Sequence, residues 1–272
     1  MPELQLLLPM LAMLLAIGAF AGVIAGLLGV GGGLVLVPAF FFAFESLGYG
    51  GPYLMQICLA TSLATIVVTS VRSVLGHHRK ASVDWEVLRR WGPVVAMGAV
   101  GGVLLASSLK SVALQAIFGV LALLVGLYMA FGKPGWRLGR AMPEGPARWG
   151  LGGALGFFSA LMGIGGGTFG VPLMSLYSIP IHRAVATAAG FGLVIAVPAV
   201  LGFLLLDIAA APPWTVGAVN LPAFLVIIAM TLLTTPLGVK LAHAMNPAPL
   251  KRAFAVFVIV VALNMLRKVA GW

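Results

Sequence analysis

Two G-x-G-G-G runs, Gly29-Val-Gly-Gly-Gly33 and Gly163-Ile-Gly-Gly-Gly167, are the residues of this chain best placed for chemistry. Each is followed five positions later by a proline, Pro38 or Pro172. Glycine inside a helix costs about 1 kcal/mol relative to alanine. A cluster of it within an apolar segment therefore serves something a continuous helix cannot: backbone N–H groups approachable without side chains in the way. Each run precedes a short helix beginning near Leu34 or Thr168. The first-turn N–H groups of such a helix lack partners, and its dipole is positive at that end. An anion is the ligand this arrangement suits. The candidate contacts are Gly29, Gly31, Gly32 and Gly33 in the first run and Gly163, Gly165, Gly166, Gly167 and Thr168 in the second. Thr168 adds a hydroxyl, as a ligand or as a cap.

A polar stripe along the span Tyr53 to Leu75 adds Thr61, Ser62 and Thr65, and Thr187 is the counterpart of Thr61 in the second half. Hydroxyls in membrane helices also bond their own backbone, so these positions carry either role. Arg72 and Arg183 lie near span ends, where they snorkel to headgroups or steer anions inward. Only six acidic residues occur, and none lies in the middle of an apolar span. A cation pore or a carboxylate proton relay needs such groups inside the membrane. His77, His78, His182 and His243 fall at loop edges, which gives no metal site and no histidine-lined pore. Ser159 has no in-span histidine or aspartate in its segment to act as a base, so an intramembrane enzyme is only a distant alternative. No cofactor is expected.

The elements that must position these residues are membrane helices. The chain is 61% hydrophobic and 8% charged, with a mean hydropathy of +1.13, far from the soluble norm. Apolar runs of helical length, continuous rather than alternating, indicate an all-α polytopic bundle and not a barrel. The net charge of +10 resides in loops, where Lys and Arg set orientation; nucleic acid is not an expected partner. The lone Cys58 permits no intrachain disulfide. Leu4 to Leu28 reads as a mature first helix. Gly76 to Trp91 reads as a polar connection whose second half forms a short amphipathic helix at the interface.

The chain repeats itself. AGVIAGLLGVGGGLVLVPAF from Ala21 matches ALGFFSALMGIGGGTFGVPLM from Ala154, and LKSVALQAIFGV from Leu109 resembles MNPAPLKRAFAV from Met245. Residues 1–131 form a first membrane repeat, 132–148 a cytoplasmic linker and 149–272 a second repeat. The legs Leu151 to Met162 and Thr168 to Ile179 are about 18 Å of helix each, too short to cross a core of about 30 Å. Each repeat is thus a broken or re-entrant hairpin with the glycine run at its tip, plus three full spans. Three spans are odd in number, so the repeats are inverted. Thirteen Lys and Arg residues then lie inside and three outside, against eleven and five for a parallel arrangement. Small-xxx-small pairs at Gly22/Gly26, Gly98/Gly102 and Gly152/Gly156 suggest close helix packing, and through such faces a homodimer.

The doubled apolar segment ending in G-x-G-G-G with its downstream proline, together with the connection HHRKASVDW, resembles the sulfite exporter TauE/SafE family of membrane permeases. The resemblance covers nearly the whole chain. It implies a multi-pass transporter of a bacterial inner membrane, moving sulfite, thiosulfate, sulfoacetate or related anions. An anion-selective channel of the same fold is the alternative. Family members often carry glycine where this chain has Ala81.

Overall fold

The computed structural model describes residues 2–28, 32–132, 136–209, 211–244 and 247–271. It is almost entirely helical. The helices in chain order are α1 (Pro2–Leu28), α2 (Gly33–Ser46), α3 (Leu54–Arg79), α4 (Trp85–Ser108), α5 (Ser111–Phe131), α6 (Gly145–Leu161), α7 (Gly167–Leu176), α8 (Ile181–Leu204), α9 (Leu221–Ala244) and α10 (Pro247–Val269). A two-residue antiparallel ladder joins β1 (Thr215–Val216) to β2 (Val219–Asn220) before α9. Among the described residues, α3, α4, α5, α8 and the Leu221–Gly238 part of α9 are long and apolar enough to cross a membrane.

Two local expectations change. No separate interfacial helix precedes the second span: Trp85 opens α4, which runs unbroken through Pro93 to Ser108. A proline early in a helix is tolerated, and the Asp84 carboxylate caps this one by accepting the Val87 N–H at 3.2 Å. The first leg of the second hairpin is also longer than its apolar run, because Gly145–Arg148 of the linker belongs to α6. Between α3 and α4 the chain reverses through Ala81 at φ +50°, a left-handed conformation that glycine adopts without strain.

Helix partners are exchanged between the two halves. α1 packs chiefly on α9, and α6 chiefly on α4. The register shows both pairs to be parallel. Gly18 faces Ile227 and Met230 while Gly22 faces Thr231 and Thr234; likewise Gly98 faces Gly153 while Gly102 faces Phe157 and Ala160. The small-residue faces at Gly98/Gly102 and Gly152/Gly156, and Gly22, are thus filled by helices of the same chain. α3 packs on α8 and α5 on α10. Both of these pairs run antiparallel. Asp84, just past the end of α3, reaches Thr187 near the start of α8, and Asn220, past the end of α8, reaches Thr61 near the start of α3. Gly119 and Gly126 of α5 meet Leu266 and Ile259 of α10 in reverse order.

The charged ends separate accordingly. Glu45 pairs with Lys268 at one end, where the Ser111 N–H also joins the Pro52 carbonyl. At the other end Asp84 pairs with Arg183 at 2.9 Å, Arg90 with Glu144 at 2.5 Å, and the linker joins α7 through the Leu138 N–H to the Leu176 carbonyl.

Candidate functional site

α2 and α7 both begin at a glycine run, with Gly32 and Gly166 as their N-caps. Gly33, at the described end of the first run, meets the second run inside the bundle. A Cβ on Gly33 would lie 2.8 Å from the Gly163 carbonyl oxygen and 2.9 Å from the Ile164 Cα, so only hydrogen lets the tips approach. Gly163 itself turns through φ +63° and is pressed against the Leu59 Cα and the Val37 side chain. Its carbonyl accepts the Ser62 hydroxyl at 2.7 Å, which ties the tip to α3. Gly29 and Gly31 lie outside the described residues.

The start of α7 is set against the middle of α8. A Cβ on Gly166 would lie 2.5 Å from the Phe191 Cβ and 2.6 Å from the Ala188 carbonyl oxygen. A Cβ on Gly192 would lie 2.5 Å from the Ser70 Oγ and 3.6 Å from the Gly166 nitrogen. Ser70, of α3, thus stands near the first N–H groups of α7, and Gly165 faces Ile66 one turn earlier on α3. Gly167 opens α7 beside Thr168, whose side chain is 4% exposed and whose hydroxyl has no partner.

The Thr and Ser positions divide. Ser62 joins the site through Gly163. Thr65 donates to the Ser62 carbonyl at 2.7 Å and so satisfies its own helix. Thr61 accepts the Asn220 N–H at 3.0 Å, and Thr187 accepts the Asp84 N–H at 2.9 Å. Both acceptors serve the N-cap residue of the fourth helix of the opposite half, since Asn220 caps α9 through Ala223 as Asp84 caps α4 through Val87. Of the two arginines, Arg72 is exposed on α3, and Arg183 is engaged by Asp84, whose side chain is only 17% exposed.

Three positions that the structure brings to these contacts were not among the sequence candidates: Ser70, Asp84 and Asn220. The capping pair had a signal, Asp-Trp-Glu and Asn-Leu-Pro at the start of corresponding helices. Ser70 had none, because its neighbour Gly192 is 122 residues away. At the Glu45 end a cavity of about 60 Å³ is lined by Tyr49, Tyr53, Leu54, Ile57, Ile208 and Pro212. It lies at the outer end of the stretch of α3 that carries Thr61.

The profile of the family described as "Sulfite exporter TauE/SafE" matches residues 14–265. A protein of Haemophilus influenzae described as "Probable membrane transporter protein" is 31% identical over 256 residues, covering 93% of this chain and 97% of its own length. A protein of Methanocaldococcus jannaschii with the same description is 25% identical over 265 residues, covering 97% of each. No solved structure matches.

Proposed function

The chain belongs to the sulfite exporter TauE/SafE family of membrane transporters, and on that premise we propose that it is a secondary permease for small anions, sulfur oxoanions or organosulfonates, in a bacterial inner membrane. The observation that carries this reading is the meeting of the glycine runs within the bundle, Gly33 on Gly163 and Ile164, with the positive end of α7 beside Ser70. Non-helical backbone at such depth is tolerated only inside protein or along a watery path, and half-helix N-termini there suit an anion. The scarcity of acidic groups favours the same sign of substrate.

The two repeats are inverted in this proposal. Support comes from the antiparallel α3/α8 and α5/α10 pairs, from the exchanged parallel pairs, and from the sorting of basic residues between the ends. Alternating access follows: substrate rests between the tips while the repeats rock. The Asp84–Arg183 and Glu45–Lys268 pairs, at opposite ends, part in turn. In the described state both pairs are made and the tips are closed on each other, which fits a carrier better than an open channel.

Proteoliposomes loaded with sulfite test this. Internal unlabelled anion accelerates uptake of labelled anion by a carrier, and Gly166→Val abolishes that exchange while the protein still inserts. Flux that follows the gradient without acceleration would assign the fold to a channel. Full exchange by Gly166→Val would remove the glycine tips from the mechanism.

A further inference from the structure

The connection between α8 and α9, residues 205–220, turns polar groups inward and apolar side chains outward. Asn220 donates through Nδ2 to the Pro213 carbonyl at 3.1 Å and to the Thr215 hydroxyl at 3.0 Å, and that hydroxyl donates to the Pro212 carbonyl at 2.7 Å. The Ala218 N–H reaches the Phe203 carbonyl of α8 at 3.0 Å. Gly217, at φ +58°, presses on the end of the same helix: a Cβ there would lie 2.5 Å from the Leu204 Cα. A ladder as short as β1 with β2 is not stable by itself, so these bonds are what fix it to the ends of both spans. On the outside stand Trp214, 76% exposed, Leu205, 87% exposed, and Val216, also exposed.

Trp214 is held in an unusual conformation. Among the described residues, Ala81, Ser178 and Trp214 are the non-glycine positions with positive φ, and the first two are small. A bulky side chain at φ +63° is an outlier, kept only where its surroundings impose it. The backbone has a reason, since the Trp214 carbonyl accepts the Leu221 N–H at 3.1 Å and so opens α9. Glycine or asparagine would serve that bond with less strain, and the indole has no part in it. What the turn does for the indole is to place it. It stands beside Leu221, which is exposed together with Leu225 one turn further along α9; on α8, Leu205 continues the exposed Leu201. Both helices are long and apolar enough to cross a membrane, so these leucines face acyl chains. Trp214, Val216 and Leu205 carry the same surface past the ends of the spans. An apolar ring with one polar N–H suits that depth. The only charged residue of the connection is Asp207, so no basic group draws it to anionic headgroups.

We propose that this connection is a membrane anchor: Trp214, with Val216 and Leu205, lies in the boundary between headgroups and acyl chains at the Glu45 end, and its partner is the lipid bilayer, engaged by apolar insertion and not by headgroup charge. The inference is independent of which solute the protein moves. The anchor is tied to the bundle on its inner side. The Asn220 N–H bonds the Thr61 hydroxyl of α3 at 3.0 Å, and Ile208 and Pro212 line the cavity at this end, so the depth of Trp214 fixes one wall of that cavity against the long span.

The test is the depth of a nitroxide on Val216→Cys, in a Cys58→Ser background, in nanodiscs of phosphatidylcholine. Oxygen should relax the label severalfold more than a water-soluble nickel chelate does, with no change when phosphatidylglycerol is added. Trp214→Tyr should keep that ratio. Trp214→Asn, which accepts the turn but offers no ring, should lower it severalfold while the thermal midpoint stays level or rises, because backbone strain is relieved. Unlabelled protein gives a second reading: brominated phosphatidylcholine should quench a part of the tryptophan emission that Trp214→Phe lacks. Nickel reaching the label as readily as oxygen places the loop in water and overturns the proposal. A label shielded from both reagents overturns it in favour of a second copy or another protein, and a depth that appears only with phosphatidylglycerol overturns insertion as the means of contact. A wild-type ratio in Trp214→Asn, or lipid quenching undiminished in Trp214→Phe, would show that the indole is not the anchor.

Discussion

At the scale of single residues, the glycines of the two runs are not equivalent, and the difference is measurable. A Cβ on Gly166 would collide with the Phe191 Cβ and the Ala188 carbonyl, neither of which can move without displacing α8. A Cβ on Gly32 meets the Leu36 side chain at 3.4 Å and the Ala21 Cβ at 3.9 Å, both ordinary contacts. Gly166→Ala should therefore cost about 1–3 kcal/mol and most of the transport, and Gly32→Ala should leave both near wild type. Equal loss in the two variants, read by proteoliposome uptake and thermal midpoint, would remove the distinction. The sequence made the runs conspicuous but not this asymmetry, which comes from what packs on each. The same holds for Thr61 and Thr187. Their types and matching positions were readable, but their partners, Asn220 and Asp84, are 159 and 103 residues away, so their role as acceptors for helix starts was not.

At the scale of elements, hydropathy and repetition were enough to find the hairpins and the long spans, because both depend on short-range pattern. Helix ends were less legible where tertiary contacts override composition. The polar stretch from Trp85 is helical because Asp84 caps it and Thr187 fixes that cap, neither of which is visible in local periodicity. The choice of partner helix was legible only as a small-residue face. Along α6, Gly156 abuts the Val95 carbonyl and the Ala99 nitrogen of α4, while a Cβ on Gly153 would meet nothing within 4 Å. Gly156→Val should separate α4 from α6 and lower the thermal midpoint by several degrees, and Gly153→Ala should leave it within a degree or two. A tolerated Gly156→Val would show that the glycine face is not what holds these helices together.

At the scale of the whole molecule, the alternating access proposed above makes the ion pairs at the two ends its closures. An Asp–Arg pair spans more Cα separation than a disulfide permits, so the lock uses a short thiol-reactive cross-linker on Asp84→Cys/Arg183→Cys or Glu45→Cys/Lys268→Cys, in a Cys58→Ser background. Either lock alone should stop counterflow, and cleaving the linker should restore it. In the single variants Asp84→Cys and Glu45→Cys, an impermeant reagent should label the introduced thiols from opposite sides of the membrane, as a full crossing by α3 requires. Continued exchange through a locked end would show that end to be static. The exchanged partnership of α1 with α9 also bears on how the protein is made. The ribosome reaches Leu221 about 190 residues after α1 is complete, a delay on the order of 10–40 s at ~5–20 residues per second. During that interval the glycine face of α1 has no mate and must be sheltered by lipid or by the insertion machinery. Neither half is then a folding unit: a chain cut after Arg140 should accumulate when both fragments are synthesised together and be degraded when either is made alone, so that turnover in the cell reports the exchange.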